Sequence, residues 1–396
     1  KQKKLIINKN TIFYKIDYRH KYALSKILEK NKNYKIFDNY KFNLKDLVEN
    51  EQNYKLRDKI LNRLLKENIK EKIFSELLIK YFPSLYLESI EENIIKFSNK
   101  MKSVPSKIIS NAHGWWGDDF FKYYLAACLN NNSKYIDVQH NGTYFIFDNN
   151  VHFDISSLFR HKFIGWGNAC EKFSNCLNLP ALYSIQNTIP KVANGKKIIL
   201  MSANISRFFE GYRNSYLSGG QNLKYFSNQI SFLEKMNSKI IKNFVIRARF
   251  NEKDPNDYLY FIKKKFNKIK IESLNKTAFE RLSKTDVKII VVDHCSTPWL
   301  EALFLNKPLI MFWDKDINVI SKEFLELFEQ LKLNKILFDN PQKAMARLNS
   351  VYDLSTDWWY SNKIQKLRKK ILNLFFSYNK EAIKMWNNRL TNIISS

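Results

Sequence analysis

The feature that most constrains this chain is a repeated alternation of short apolar runs with helical segments. Three runs that end in polar or glycine-containing turns lie within 105–168: "SKIISNAHG", "KYIDVQHNG" and "HKFIGWGN". A second series begins at residue 196, with "KKIILMSANIS", "KNFVIRARF", "VKIIVVDHCS", "PLIMFWD" and "KILFD". Segments with helical periodicity separate the runs, including 118–131, 222–242, 275–284 and 298–306. This alternation is typical of βαβ units and predicts parallel sheets.

The polar stretch "PALYSIQNTIPKVANGKK" lies between the two series and predicts a linker between two domains. Before the first series, segment 55–82 spaces Leu, Ile and Phe three or four residues apart, which predicts an amphipathic helix. We therefore expect an α/β protein of two Rossmann-like, doubly wound domains facing a cleft. The expected bounds are 1–185 for the N-terminal domain (helical over 1–100, Rossmann-like over 105–185), 186–195 for the linker, 196–375 for the C-terminal domain and 376–396 for a C-terminal helix packed across the junction.

The formal net charge of +28 is the strongest compositional signal. It favours a nucleic acid, an anionic membrane surface or small anionic substrates as the partner. The chain is also rich in Lys, Asn, Ile and Phe, a bias that an AT-rich genome produces and that accounts for part of the lysine. Because the sequence contains no RNP-type aromatic motif, zinc finger or arginine tract, we expect no nucleic-acid partner.

The sequence predicts neither a metal centre nor a cofactor. The four cysteines have no CxxC spacing and no HExxH sequence occurs, so a zinc site is not expected. GxGxxG and GxxxxGK[ST] are also missing, which disfavours a dinucleotide oxidoreductase and a P-loop kinase. Two Rossmann-like domains instead predict a ligand site in the cleft between the carboxyl ends of their strands.

The sequence predicts a cytoplasmic protein. No apolar run approaches the roughly 20 residues that span a bilayer, and the basic start "KQKKLIINKN" lacks the apolar region of a secretory signal. Segment 358–390 is basic and amphipathic. We expect it to pack as a helix across the domain junction, with peripheral contact to the anionic inner face of the membrane as the alternative.

The stretch "VDHCSTPWLEALFLNKPLIMFWD" (292–314) predicts a strand, a polar turn, a helix and a second strand. Pro298 suits the first helical position, so Thr297 is the predicted N-cap. Backbone N–H groups at such a helix start form a seat for a phosphate, and Glu301, one turn further on, would reach a ribose. Candidate donor-binding residues here are His294, Ser296, Thr297 and Glu301. The alternative is an ordinary capped turn without a ligand.

Two other strand ends in the second half carry candidate donor-binding residues. Arg247 and Arg249 are two positions apart at the end of a strand and therefore lie on one face. Two guanidinium groups there would bind a diphosphate or a sugar carboxylate, unless they form surface ion pairs. Ser202 and Asn204 follow the first strand of this half and are candidates for a loop that approaches the nucleotide.

The first half carries candidates for acid–base chemistry. His113 and His140 each follow a predicted strand, and Asp118 and Asp119 open the next helix. An imidazole or carboxylate at these positions could take a proton from an acceptor hydroxyl. Gly142 would allow the backbone to turn close to the substrate. The structural alternatives are helix capping by Asp118 or Asp119 and a hydrogen-bonding role for His113.

The string "SNAHGWWGDDFFKYYLAACLNNNSKYIDVQHNGTYF" resembles a family of transferases encoded in bacterial surface-polysaccharide loci. That family shows a strand-end Ser-Asn, an acidic pair at a helix start and a Gln-His-Gly-Gly-x-Tyr turn. Here the turn runs from Gln139 to Tyr144, with Asn141 at the first Gly. "HKFIGWGN", "VIRARFNEKD", "DHCSTPWLEALFLNKPLIMFWD" and "STDWWYSNKIQ" match later family motifs in order, so the resemblance covers about 105–376.

The resemblance implies a GT-B glycosyltransferase that needs no metal, because the family is similar to capsule Kdo transferases and to CDP-glycerol glycerophosphotransferases. It implies a cytidine-nucleotide donor, such as a CMP-ulosonate, and a glycan or lipid-linked glycan acceptor of lipopolysaccharide or capsule synthesis. The expected general base is His140 or the Asp118/Asp119 pair. The expected acceptor-side residues are His113, Asn141, Gly142 and Tyr144.

Two alternatives stay open. A polyol-phosphate transferase that uses CDP-glycerol or CDP-ribitol would need the same fold. A non-catalytic basic protein that binds nucleic acid or another polyanion would show steep salt dependence and no response to a specific nucleotide.

Overall fold

The computed structural model describes residues 6–8, 11–13, 35–36, 47–66, 72–100, 104–148, 150–182, 195–203, 219–247, 257–272, 276–317 and 319–395. Strands in these ranges form one sheet of seven strands and one of six. The predicted linker, 186–195, lies outside the described residues except for its last position.

The first sheet joins three short N-terminal strands to four parallel ones. Its spatial order is β3-β1-β2-β4-β5-β6-β7, in which β1 pairs antiparallel with β2 and β3 and the remaining pairs are parallel. The strands are β1 (Ile6–Asn8), β2 (Thr11–Phe13), β3 (Lys35–Ile36), β4 (Lys107–Ser110), β5 (Lys134–Val138), β6 (Lys162–Gly165) and β7 (Cys176–Asn178).

The prediction of a helical region over 1–100 is wrong for the segments of β1, β2 and β3. Each of these strands is only two or three residues long. That is too short to show the alternation of apolar and polar residues by which a strand is recognised in a sequence. Pairing of β2 with β4 makes them part of the first sheet.

Helices of the first domain lie between and beside these strands. The bounds are α1 (Tyr54–Lys66), α2 (Lys72–Tyr81), α3 (Ile90–Lys100), α4 (Ala112–Trp115), α5 (Asp119–Asn130) and α6 (Val151–Ser157). The amphipathic segment 55–82 therefore forms two helices, and residues 67–71 between them lie outside the described residues. Helix α5 confirms the prediction for 118–131, and Asp118 is its N-cap.

The second sheet is parallel throughout and has the order β10-β9-β8-β11-β12-β13. Its strands are β8 (Lys197–Met201), β9 (Phe244–Arg247), β10 (Lys270–Glu272), β11 (Val287–Val292), β12 (Leu309–Phe312) and β13 (Leu337–Phe338). Its helices are α7 (Gly219–Glu234), α8 (Ser238–Ile241), α9 (Asp257–Lys265), α10 (Ala278–Leu282), α11 (Thr297–Phe304), α12 (Leu325–Leu333) and α13 (Pro341–Val351). The order reverses between β8 and β11, which is where doubly wound sheets open a crevice for a ligand.

The chain returns from the second domain to the first near its C-terminal end. Helices α14 (Ser355–Trp359), α15 (Asn362–Phe375) and α16 (Ala382–Ser395) replace the single helical stretch predicted over 358–390. Arg368 on α15 donates to the carbonyl oxygens of Leu303 and Phe304 at the end of α11. On α16, Trp386 Nε1 donates to the Pro180 carbonyl oxygen at 2.8 Å, so this helix packs on the first domain.

Both sheets are covered on both faces, as their continuous apolar strands predict. The residues of β4, and those of β8 after its first, are buried. The predicted architecture, two doubly wound α/β domains of the GT-B type with a C-terminal helix, is therefore confirmed. Within the described ranges, no helix combines the length and apolarity that a membrane crossing requires.

Candidate functional site

The carboxyl ends of β8, β9 and β11 bring the predicted donor-binding residues to one edge of the second sheet. Ser202 follows β8, and its backbone N–H donates to the carbonyl oxygen of Arg247, the last residue of β9, at 3.1 Å. His294 and Ser296 belong to the turn after β11. These positions flank the reversal in strand order, so the topology favours a ligand here. Asn204 and Arg249 lie outside the described residues.

The start of α11 differs from the prediction. Ser296, not Thr297, is the N-cap, with an extended backbone at φ −150°, and Pro298 is the second helical residue. The Ser296 side chain makes no capping hydrogen bond to the helix. Its hydroxyl instead lies 2.6 Å from His294 Nε2, a contact that the capping rule does not anticipate.

Asp293, His294 and Ser296 form a continuous chain of hydrogen bonds. His294 Nδ1 lies 2.8 Å from Asp293 Oδ1, and the Asp293 side chain is completely buried. Asp293 Oδ2 accepts hydrogen bonds from the Tyr225 hydroxyl, at 2.8 Å, and from Gln229 Nε2. Both oxygens of Asp293 therefore have hydrogen-bond partners, and Nε2 of His294 faces the serine.

Tyr225 and Gln229 on α7 also fix the end of β8. Tyr225 Oη lies 3.0 Å from Ser202 Oγ and accepts from the Ala203 N–H at 2.9 Å. Gln229 Nε2 donates to Ser202 Oγ at 3.0 Å. Sequence reasoning missed both α7 residues and Asp293. Their one visible signal is the spacing of Tyr225 and Gln229, which places two polar residues on the same face of a helix.

Arg247 and Glu301 lie buried beneath this edge. The guanidinium of Arg247 is 4% exposed and donates through Nη2 to the Lys276 carbonyl oxygen. Burial lowers the pKa of Arg247, and the charges of Glu272 and Glu301 oppose that effect. Glu301 is 1% exposed. The negative charges of Glu272 and Glu301 therefore favour the charged form of Arg247 beneath this edge of the sheet.

A DxD sequence, Asp314-Lys315-Asp316, follows β12, contrary to the expectation that the chain has none. Both carboxylates pair with Lys224 on α7, with Asp316 Oδ2 at 3.5 Å from its Nζ. Across the described part of the chain, no three His, Cys, Asp or Glu side chains are grouped so that they could hold a metal ion.

In the first domain, the turn after β5 holds His140 in one orientation. The Asn141 Oδ1 accepts from the Thr143 N–H at 2.9 Å and from its hydroxyl at 2.8 Å, so Asn141 Nδ2 must face His140 Nε2, at 3.1 Å. Nε2 is therefore an acceptor, and Nδ1 carries the proton of the neutral ring. Nδ1 lies 2.6 Å from the Tyr144 hydroxyl oxygen, to which it donates.

Two further histidines surround His140. The ring of His113 lies 4.6 Å from that of His140, and His152 lies 5.3 Å from it on the other side, measured between centroids. Burial, with a smaller effect of the His113 charge, lowers the pKa of His152 to about 4. His152 therefore stays neutral at physiological pH. Sequence reasoning missed it because it belongs to α6 and not to a strand end.

The two domains meet where these turns face each other. The Gly142 N–H donates to Thr297 Oγ1 at 3.0 Å. A Cβ atom on Gly142 would lie 2.5 Å from Leu300 Cδ1, so the close contact requires glycine. Beside it, the Ser321 N–H donates to the Ile146 carbonyl oxygen at 2.9 Å. The His140 turn and the start of α11 are thus in direct contact.

The described contacts of the acidic pair are structural. Asp118 Oδ1 accepts from the Phe121 N–H at 3.2 Å and caps α5. Asp119 pairs with Lys122 at 2.9 Å and accepts from the Tyr86 hydroxyl. Burial and the Asp119 charge raise the pKa of Tyr86 well above its usual value. Of the predicted bases, His140 belongs to the turn whose Gly142 contacts the second domain.

The fold has distant likenesses among solved structures. A UDP-GlcNAc 2-epimerase from Neisseria meningitidis bound to UDP-GlcNAc is 11% identical, over 94% of this chain and 90% of that one, with a TM-score of 0.46. MurG from Acinetobacter baumannii is 8% identical over 87% and 98%, with a TM-score of 0.41. Arabidopsis thaliana UGT89C1 complexed with UDP-L-rhamnose is 11% identical over 77% and 74%, with a TM-score of 0.43.

No curated protein sequence matches the chain. The model of a protein family described as the LIC12162 family transferase matches residues 2–390, which is almost the whole sequence. The prediction that the protein is a transferase enzyme is therefore confirmed, and the chain belongs to the LIC12162 family of transferases.

Proposed function

We propose that this transferase is a glycosyltransferase of bacterial surface-glycan assembly, with a nucleotide-activated sugar as donor. The observation that carries the proposal is the contact of Gly142 with Thr297, which sets a histidine turn of one domain against a helix start of the other. A direct in-line transfer needs a leaving-group site and a base on opposite sides of the reacting carbon. These two turns supply one each.

The donor side is suited to a leaving phosphate. The N–H groups at the start of α11 and the positive end of the helix favour an anion. The hydroxyl of Ser296 and the buried charge of Arg247 lie at the same edge. These groups would stabilise the negative charge that grows on the phosphate as the sugar departs. We therefore also propose that transfer proceeds without a metal ion, so that chelation with EDTA leaves the rate unchanged.

The acceptor side is built around His140. Its Nε2 accepts a hydrogen bond from Asn141 and its Nδ1 is held by Tyr144. An acceptor hydroxyl that replaces the Asn141 amide at Nε2 would find an unprotonated nitrogen with a fixed orientation. His140 would then act as the general base, with His113 beside it. Asn141, Gly142 and Tyr144 would shape this side of the cleft.

The donor nucleotide is proposed to be a cytidine nucleotide, such as a CMP-ulosonate, on the strength of the motif resemblance. A thermal-shift panel of CMP, CDP, UDP, GDP and ADP tests this directly, because a ligand that binds only the folded state raises the melting temperature. We expect CMP or CDP to stabilise the protein selectively. If none of the five nucleotides shifts the melting temperature, the proposed function is wrong.

Variants separate the roles of the two sides. Arg247→Ala and Glu301→Ala should weaken the stabilisation by nucleotide, whereas His140→Ala should retain it and abolish turnover. His161→Ala is the matched control, because His161 lies at the start of β6, at the other end of the strands. Turnover of radiolabelled CDP-glycerol in place of a CMP-sugar would show a polyol-phosphate transferase instead.

We further propose that the protein is cytoplasmic and makes peripheral contact with an anionic membrane that carries the acceptor. Helix α2 exposes apolar side chains along its length, with Ile73 73%, Phe74 56% and Leu77 50% exposed. Lys72 and Lys80 lie at its two ends, and the net charge of the chain is +28. An apolar face flanked by lysines suits the surface of a bilayer that contains anionic lipids.

A further inference from the structure

We propose that Asp293, His294 and Ser296 form a proton relay that protonates the phosphate of the leaving nucleotide. The inference rests on the proposed function, since it assigns a step to the donor side of the same site. It goes further by naming the atom that delivers the proton, Ser296 Oγ, and the residues that supply it. Ser296 would contact the donor, whereas His294 and Asp293 act through it as positioning residues.

The first support is the position of Ser296. It is the N-cap of α11, where a phosphate would lie, and it is partly exposed while His294 and Asp293 are buried. Its hydroxyl makes no bond to the helix and lies instead 2.6 Å from His294 Nε2. The serine is therefore the accessible end of a buried chain of hydrogen bonds.

The second support is the set of hydrogen bonds that the Asp293 carboxyl group makes. Its Oδ1 is bonded to His294 Nδ1 at 2.8 Å, and its Oδ2 accepts from Tyr225 and Gln229 on α7. The relay requires a second proton on the His294 ring, so that Nδ1 donates to Asp293 and Nε2 donates to Ser296. Among the described residues, Arg247 at the end of β9 and Glu301 on α11 are further charged groups of this edge.

In the proposed transfer step, each bond that forms is matched by a bond that breaks. The acceptor oxygen forms a bond to the anomeric carbon while the bond from that carbon to the phosphate oxygen breaks. The leaving phosphate takes the hydroxyl proton of Ser296, and Ser296 receives the Nε2 proton of His294. His294 becomes neutral, with its remaining proton on Nδ1 towards Asp293. The proton of the acceptor hydroxyl passes to the base across the cleft, the nucleotide leaves with the transferred proton, and His294 takes a new proton from solvent when the next nucleotide binds.

Calorimetric titration with CMP tests the relay, because CMP is the product that carries the phosphate. Titrations at pH 7 in two buffers of different ionisation enthalpy give the number of protons taken up on binding. We expect wild-type protein to take up more protons than His294→Gln, by up to about one per CMP. Asp293→Asn and Ser296→Ala should also reduce the uptake, and His161→Gln should leave it unchanged.

Each outcome has a distinct meaning. Equal proton uptake by wild type and His294→Gln, with CMP bound by both, overturns the relay and leaves the proposed function intact. Loss of uptake in His294→Gln but not in Ser296→Ala also overturns it, since His294 would then act on the phosphate directly. Failure of every nucleotide to bind the wild type removes the proposed function and the relay together.

Two measurements guard against structural explanations. Ser296→Ala removes only a partly exposed hydroxyl, so it keeps the test decisive even where His294→Gln does not fold. With the donor that the nucleotide panel identifies, the variants should lower kcat and change the shape of its pH profile. A fall in kcat with an unchanged pH profile would contradict the relay.

Discussion

Replacement of Gly142 by alanine should push the turn that contains His140 away from the start of α11. The added Cβ would lie 2.5 Å from Leu300 Cδ1 and 3.3 Å from Thr297 Cα. Leu300 is completely buried, so it has little freedom to move aside. The turn must therefore shift away from α11, which lengthens the 3.0 Å hydrogen bond from the Gly142 N–H to Thr297 Oγ1.

The expected cost follows from these two contacts. Overpacking of a filled interior costs about 1–3 kcal/mol, and loss of one buried hydrogen bond adds about 0.5–1.5 kcal/mol. We therefore expect Gly142→Ala to lower the free energy of unfolding by about 2–4 kcal/mol. Urea denaturation followed by tryptophan fluorescence and by circular dichroism measures this loss.

A matched control and a double mutant sharpen the experiment. A Cβ on Gly220, in α7, meets nothing within 4 Å, so Gly220→Ala should be neutral or stabilise the protein by about 0.4–1 kcal/mol. Leu300→Ala makes room for the added methyl group, so the cost of Gly142→Ala should fall by at least about 1 kcal/mol in the Leu300→Ala background. If Gly142→Ala is as stable as wild type, or if its cost is the same in both backgrounds, the described contact of the domains is wrong.

Three other perturbations probe different parts of the chain. Glu88→Gln breaks its pair with Arg57, whose Nε lies 2.7 Å from Glu88 Oε1, and should cost about 3 kcal/mol in urea denaturation, whereas Asp353→Asn, in an exposed pair, should leave the midpoint almost unchanged. Burial raises the pKa of Asp137 from 3.8 to about 7. Between about pH 4 and 7 its carboxyl group is therefore protonated in the folded state and ionised in the unfolded state, so the free energy of unfolding should fall as pH rises through this range. Asp137→Asn should flatten this dependence of stability on pH. If Asp137→Asn leaves the dependence of stability on pH unchanged, Asp137 is ionised in the folded state across this pH range. Phe74→Glu should weaken sedimentation with vesicles that contain anionic lipid several-fold, and equal sedimentation would exclude α2 as the membrane contact.

The strands that carry the site were predictable because both faces of each sheet are covered. Such strands appear as continuous apolar runs, and β4, β5, β8, β9 and β11 all lie within the predicted segments. The strands β1, β2 and β3 gave no such signal, since two or three residues do not establish a period. Their place in the sheet comes from pairing with distant residues, which no local pattern contains.

The candidate site was predicted in part for a similar reason. Turn residues such as His140 and Ser296 follow strands directly, so their position at the sheet edge can be inferred. Asp293 was missed because it looks like the polar end of an apolar run, and its partners on α7 are more than 60 residues away. The N-cap was misplaced by one residue because Pro298 occupies the second helical position and not the first, so the helix already begins at Thr297.

The return of the C-terminal segment has a consequence for biosynthesis. Trp386, Leu390 and Ile393 on α16 belong to the same apolar cluster as Ile109, on β4. During translation, the strands of the first domain emerge before α16 and lack this part of their core until α16 has left the ribosome. Contacts between positions so far apart in sequence close late and slow folding. A nascent chain therefore exposes an unfinished apolar surface until α16 emerges, which makes it a substrate for chaperones that bind such surfaces.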